Sequence, residues 1–283
     1  MQKRKITFKF ILYFLLIFIV VQAIGLFVAN SYATSGLVTG IFTKDPNNIW
    51  NAVGIFLEIL LLTAIILFLR KFSKKSGYLV ILEFLALFAG LLLFLDIFLF
   101  YLLAAIVSLF LVILKYYLSS QKRYLKLSIW YNNCLLAIAI GAAGAIIGLS
   151  LGILPVIVFL LLLSLYDIIA VFYTKHMVKL AKIFTKQKVS FLFVIPTKNG
   201  AFQLGGGDLV IPLTICASLF FVLIQSFPFK IAILPIIGIW IASIIGLIWT
   251  FYAIGKYKLK AVPALPPQAI LMLVVIIITF LFL

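Results

Sequence analysis

Apolar residues gather into long runs of about twenty, parted by short polar breaks. The runs occupy 8–29, 49–69, 78–96, 97–118, 129–149, 153–174, 208–227, 230–254 and 263–283. A helix of that length crosses the hydrocarbon core of a bilayer, so each run predicts a transmembrane helix. The stretch 78–118 is twice as long as one crossing needs and predicts two spans with a tight turn near Asp96. The pattern changes at 175–204, the one long break. There Lys175, Lys179, Lys182 and Lys186 recur at helical spacing opposite Met177, Leu180, Ala181 and Phe184, which predicts an amphipathic surface helix. Two β-prone segments follow, 189–195 and 201–204, separated by Asn199-Gly200. Asn-Gly between apolar runs signals a hairpin because both residues tolerate positive φ. A plain connector remains the alternative. The fold expected is an all-α polytopic membrane protein of nine helices with a small β-hairpin between helices six and seven.

Composition agrees with this pattern. Of the 283 residues 66% are hydrophobic and 10% charged, which excludes an ordinary soluble domain. The formal charge of +17 invites a nucleic-acid reading, but the distribution of the cations refutes it. With nine spans, all of the 23 Lys and Arg residues except Lys44 and Lys230 fall on one side. The positive-inside rule makes that side cytoplasmic, giving an internal N-terminus and an external C-terminus in a multi-pass protein of the cell membrane. The Lys3-Arg4-Lys5 head leads into a run of full span length, which predicts a retained helix rather than a cleaved leader. One membrane domain, 1–283, is expected, with helices one to five (8–149) as scaffold and helices six to nine (153–283) as the catalytic part. Small residues at Gly144, Gly148 and Gly152, and at Gly238, Ala242 and Gly246, predict close helix packing. Cys134 and Cys216 read as packing residues. His176 is the only histidine and no cysteine cluster accompanies it, so neither a metal site nor a cofactor is expected.

The acids are few, 6 in all, and two of them stand out. Asp167 interrupts the sixth run, about seven residues from its cytoplasmic end or roughly 10 Å deep at helical rise. Asp208 closes Gly205-Gly206-Gly207-Asp208 and opens the seventh. An ionisable group at membrane depth is costly and marks a functional site by default. Two carboxylates held close share a proton, and the pair then acts as both acid and base toward a water. Gly205 and Gly207 would let the backbone turn tightly and admit a substrate strand. Three prolines in Pro263-Ala264-Leu265-Pro266-Pro267 prevent a regular helix start and expose carbonyls. Glu58 and Glu83 lie within spans two and three, where interhelical hydrogen bonding or a snorkelled, protonated role is the plain reading, and Asp96 fits the turn between spans three and four.

Tyr166-Asp167, Gly205-Gly206-Gly207-Asp208 and Pro263-Ala264-Leu265, on spans six, seven and nine, resemble the presenilin and signal peptide peptidase family of intramembrane aspartyl proteases. With nine spans the resemblance covers essentially the whole chain. It implies that Asp167 and Asp208 are the catalytic pair. It also implies that the Pro-Ala-Leu segment borders the active site and helps position substrate, and that the hairpin pairs with an unwound substrate. The inward-facing N-terminus and compact loops resemble the archaeal presenilin-like proteins. That implies transmembrane substrates in a lipid bilayer, no self-cleavage, no obligatory partner subunits and no nucleic acid. The family often carries a bulkier apolar residue where this chain has Gly206. Two other readings stand beside this one: a prepilin-peptidase-like protease, which shares Gly-x-Gly-Asp, and a proton-coupled transporter, which also keeps intramembrane acids.

Overall fold

Hydrocarbon supplies no water, so each backbone N–H and C=O within it must be paired inside the protein, and apolar runs become helices. The structure, a computed structural model, describes residues 8–36, 40–72, 77–174, 192–197, 200–257 and 262–282. Among the described residues nine helices are long and apolar enough to cross a membrane. They are α1 (Phe8–Thr34), α2 (Ile49–Phe72), α3 (Gly77–Leu95), α4 (Tyr101–Ser120), α5 (Leu125–Leu149), α6 (Ile153–Ile168), α7 (Gly207–Ser226), α8 (Phe229–Tyr257) and α9 (Leu265–Phe282). An antiparallel hairpin, β1 (Leu192–Thr197) and β2 (Gly200–Gly205), lies between α6 and α7. The protein is therefore an all-α polytopic membrane protein with one small hairpin. Asn199, His176 and the expected amphipathic helix 175–186 lie outside the described residues. Helix α5 begins at Leu125, ahead of the expected 129, because Lys126 and Ser128 join the helix and the Ser128 hydroxyl meets that of Ser119 at 2.9 Å.

Contacts divide the chain into two units, and the division is not sequential. The first holds residues 1–35, 73–146 and 184–213, hence α1, α3, α4, most of α5, the hairpin and the start of α7. Its core draws on Phe14, Phe18 and Val21 of α1, Leu79, Leu87 and Leu91 of α3, and Phe193 and Ile195 of β1. Here α3 and α5 approach so closely that a Cβ on Gly90 would lie 2.6 Å from the Ala139 Cα. The fully buried Gln22 of α1 donates from Nε2 to the Leu209 carbonyl at 3.0 Å, tying α1 to the first turns of α7.

The second unit holds residues 36–72, 147–183 and 214–283, hence α2, α6, the rest of α7, α8 and α9. Helix α6 packs against α2 and α9, and α9 against α8. The small-residue stripe works as expected at Gly246, where a Cβ would stand 2.8 Å from the Gln268 Cα of α9. That approach brings the Ser243 hydroxyl within 2.8 Å of Gln268 Oε1, while Gln268 Nε2 donates to the Ala264 carbonyl at 3.1 Å. Helix α7 is the most enclosed of the nine, with 67% of its span buried against 11% for α2. Cys216 on α7 is buried as expected of a packing residue, whereas Cys134 on α5 is exposed.

Asp96 sits in the turn joining α3 to α4, where its amide bonds to the Leu92 carbonyl at 2.9 Å. Lower on the same pair, Lys115 departs from expectation. Grouped above with loop cations, it lies instead inside α4, 3% exposed, and its ammonium forms an ion pair with Glu83 of α3. The Tyr116 hydroxyl donates to the other Glu83 oxygen at 3.3 Å. A buried pair loses its compensation when one partner is removed, which costs about 3–5 kcal/mol, whereas apolar replacement of both is often neutral. Lys115→Met should therefore destabilise the protein by roughly that amount in detergent unfolding, and Glu83→Leu added to it should restore most of the loss. Equal destabilisation in the single and double variants would exclude the pair as the cause.

Candidate active site

Asp167 occupies the last turn of α6, and the helix does not simply continue beyond it. Residues Ile169–Tyr173 form a π-turn, a wider coil that often accompanies functional sites. No local sequence signal announces it. The carboxylate is partly buried, and its Oδ2 accepts the Leu265 amide of α9 at 3.1 Å. The sequence Pro263-Ala264-Leu265-Pro266-Pro267 accounts for that bond. The first turn of a helix has backbone donors with no partner inside the helix. Prolines at 266 and 267 delete two of them and tolerate the position, so the Leu265 N–H is left as a first-turn donor and it turns to Asp167. A helix N-terminus also favours a negative group through the aligned peptide dipoles. Pro263 is buried, while Ala264 and Leu265 are partly buried. The Tyr166 ring packs edge-on to Phe56 of α2, centroids 6.1 Å apart at 84°.

Asp208 belongs to the first unit and Asp167 to the second. Asp208 is the second residue of α7, where a carboxylate complements the helix dipole. The Gly206 carbonyl starts that helix, accepting the amides of Leu209 at 3.1 Å and Val210 at 3.0 Å. One turn on, Pro212 withholds the N–H that the Asp208 carbonyl would accept in a regular helix.

The expected reason for the glycines is only half right. Neither Gly205 nor Gly207 takes a positive φ, so backbone freedom is not what they supply. Space is. Among the described residues a Cβ at Gly207 would meet nothing within 4 Å, and one at Gly205 would meet only Asp208 Oδ2, at 3.6 Å. Glycine thus leaves both backbones open beside the carboxylate.

The hairpin runs directly into this turn, with Leu192 opposite Gly205, Val194 opposite Gln203 and Thr197 opposite Gly200. Asn133 of α5 holds it. Its Nδ2 donates to the Val194 carbonyl at 2.8 Å and its Oδ1 accepts the Val194 amide at 3.1 Å. Both Val194 backbone groups therefore point away from β2, and Asn133 occupies the outer edge of β1 at that residue. The alternation of an antiparallel ladder then aims the outward groups of Pro196 the same way, where a missing N–H costs nothing. On β2 the same alternation directs the backbone groups of Ala201, Gln203 and Gly205 to the opposite edge. Asn133 escaped the sequence reading. Its only signal was an amide within an apolar span.

The profile of the family described as "Signal-peptide peptidase, presenilin aspartyl protease" matches residues 15–281. Among curated proteins nothing matches. Among solved structures, a presenilin family intramembrane aspartate protease in the C222 space group aligns with a TM-score of 0.67 and 21% identity, covering 96% of this chain and 99% of its own. A structure of a presenilin family intramembrane aspartate protease in the P2 space group aligns with a TM-score of 0.62 and 21% identity, covering 95% and 96%. At that identity the structural likeness speaks for the fold, while the profile speaks for descent. Since that profile spans nearly the whole length, this chain belongs to the signal-peptide peptidase and presenilin family of aspartyl proteases, membrane-embedded hydrolases of peptide bonds.

Proposed function

We propose that the protein is an endopeptidase that cuts single-span transmembrane substrates near the cytoplasmic side, with Asp167 and Asp208 as its catalytic pair. One carboxylate takes a proton from water as the oxygen attacks the scissile carbonyl, and the other, protonated, gives its proton to the carbonyl oxygen. Collapse of the tetrahedral diol breaks the C–N bond, and a proton passes from the pair to the departing nitrogen. Tyr166, Gly205, Gly206, Gly207 and the Pro263-Ala264-Leu265 segment support the site, the last by holding the Asp167 carboxylate at its Leu265 amide. The N-terminus is cytoplasmic, the C-terminus external, and no partner subunit is required.

The observation that carries this reading is the hairpin edge. Among the described residues Asn133 occupies the Val194 backbone groups on β1, so an extended peptide would add as a third strand along β2, and main-chain bonding of that kind gives affinity without regard to side chains. That edge ends at Gly205, whose Cβ position is 3.6 Å from Asp208 Oδ2. A substrate helix unwound along β2 would deliver its backbone beside the carboxylate.

Replacing either aspartate by asparagine should abolish cleavage of a transmembrane peptide in detergent while leaving thermal unfolding unchanged, and turnover surviving in either variant would remove it from the pair. Because one carboxyl must be ionised and the other protonated, the rate should follow a bell-shaped pH profile. A rate flat from acidic to neutral pH would refute the shared proton. Gln203→Pro deletes an outward N–H of β2 but no bond to β1, so kcat/KM should fall about tenfold or more with the fold intact, a loss of about 1.4 kcal/mol in transition-state binding. Wild-type turnover in that variant would mean that substrate does not pair with this edge.

A further inference from the structure

Glu58 is an acid that the catalytic reading does not use. It lies on α2 nine residues from Ile49, about 14 Å along the helix, which is the middle of a hydrocarbon core roughly 30 Å thick. It is exposed, and among the described residues it has no hydrogen-bond or ion-pair partner. The interhelical bond is met at Glu83 but, among the described residues, not at Glu58. Among the described residues Glu58 is instead the only charged one lining an open groove of about 720 Å3 along α2, between Phe42 and Trp50 at one end and Leu61 and Ala64 at the other. The groove residues repeat every three or four positions and so form one face of the helix. Phe56, which packs on Tyr166, lies about 200° around from Glu58. The groove therefore faces away from the α6 side that carries Asp167.

We propose that this face of α2 docks a single-span helix of another protein that carries a lysine or arginine at mid-bilayer depth. A carboxyl in hydrocarbon is costly unless it finds a donor, and a cation at the same depth satisfies both groups at once. Two other occupants fit poorly. Lipid amines lie in the headgroup region, roughly 15 Å from the midplane. A second copy of this chain offers no match, since its spans carry cations only at their ends apart from Lys115, which is buried against Glu83. In the proteolytic reading, on which only the biological use of this site rests, such a helix is a substrate held before it reaches the aspartates.

The test measures binding rather than cleavage. The full chain in phosphatidylcholine nanodiscs is titrated with two fluorescent leucine–alanine peptides of about 23 residues, identical except for lysine or leucine at the central position. The lysine peptide should bind about tenfold more tightly, a difference of about 1.4 kcal/mol. Glu58→Leu should erase the difference, Glu58→Gln should retain part of it as an uncharged acceptor, and Asp208→Asn should leave it unchanged. Equal affinities for the wild-type protein, or a preference that survives Glu58→Leu, would overturn the proposal. So would a preference lost in Asp208→Asn, because binding would then belong to the aspartates. Peptidase activity enters none of these readings, so the fate of the catalytic proposal is decided separately.

Discussion

The bond from the Leu265 amide to Asp167 is the hinge of the second unit. A carboxylate near the end of a lipid-embedded helix needs a donor, and the start of α9 needs an acceptor. Each solves the other's problem. Two prolines restrict the donors of that helix start, the buried Gln268 returns a bond to the Ala264 carbonyl, and Gly246 lets α8 close on the same turn. The Pro-Ala-Leu segment is thus irregular backbone in which the Leu265 N–H and the Ala264 carbonyl are claimed by named partners. Irregular backbone at membrane depth is tolerated on that condition.

The first unit solves a parallel problem with a side chain. A two-stranded hairpin is marginal alone, and an exposed edge invites unwanted pairing. Asn133 closes one edge with both its amide groups, and β1 buries Phe193 and Ile195. On the other edge the register directs the backbone groups of Ala201, Gln203 and Gly205 outward, and Asp208 follows within three residues. The glycines between them contribute volume rather than unusual torsions. Among the described residues a Cβ at Gly207 would meet nothing within 4 Å.

Much of this was readable from the chain. Runs of twenty apolar residues announce spans because nothing else in a folded protein requires them, and Asn-Gly announced a hairpin. Gly200 is nonetheless the first residue of β2, opposite Thr197, and not a turn residue, and β1 runs over 192–197 where 189–195 was expected. The acids were conspicuous because hydrocarbon makes every charge an exception. What stayed hidden depends on which way a side chain faces. Lys115 lies five residues from the end of α4, and spacing alone cannot say whether it reaches the interface or turns inward to Glu83. Asn133 and the π-turn at Ile169–Tyr173 depend on contacts from distant parts of the chain. Glu58 and Glu83 look alike in sequence, yet one is paired and the other lines an open groove.

Pro212 has a mechanical corollary. Helix α7 is the most enclosed span, yet its ladder lacks a rung between the Asp208 carbonyl and position 212. The opening turn is held by other contacts: the Gln22 side chain of α1 bonds to the Leu209 carbonyl, Leu209 is fully buried, and the Gly206 carbonyl accepts the Leu209 and Val210 amides. The residue after Asp208 is thus fixed from outside its own helix, by α1, and not by an unbroken ladder.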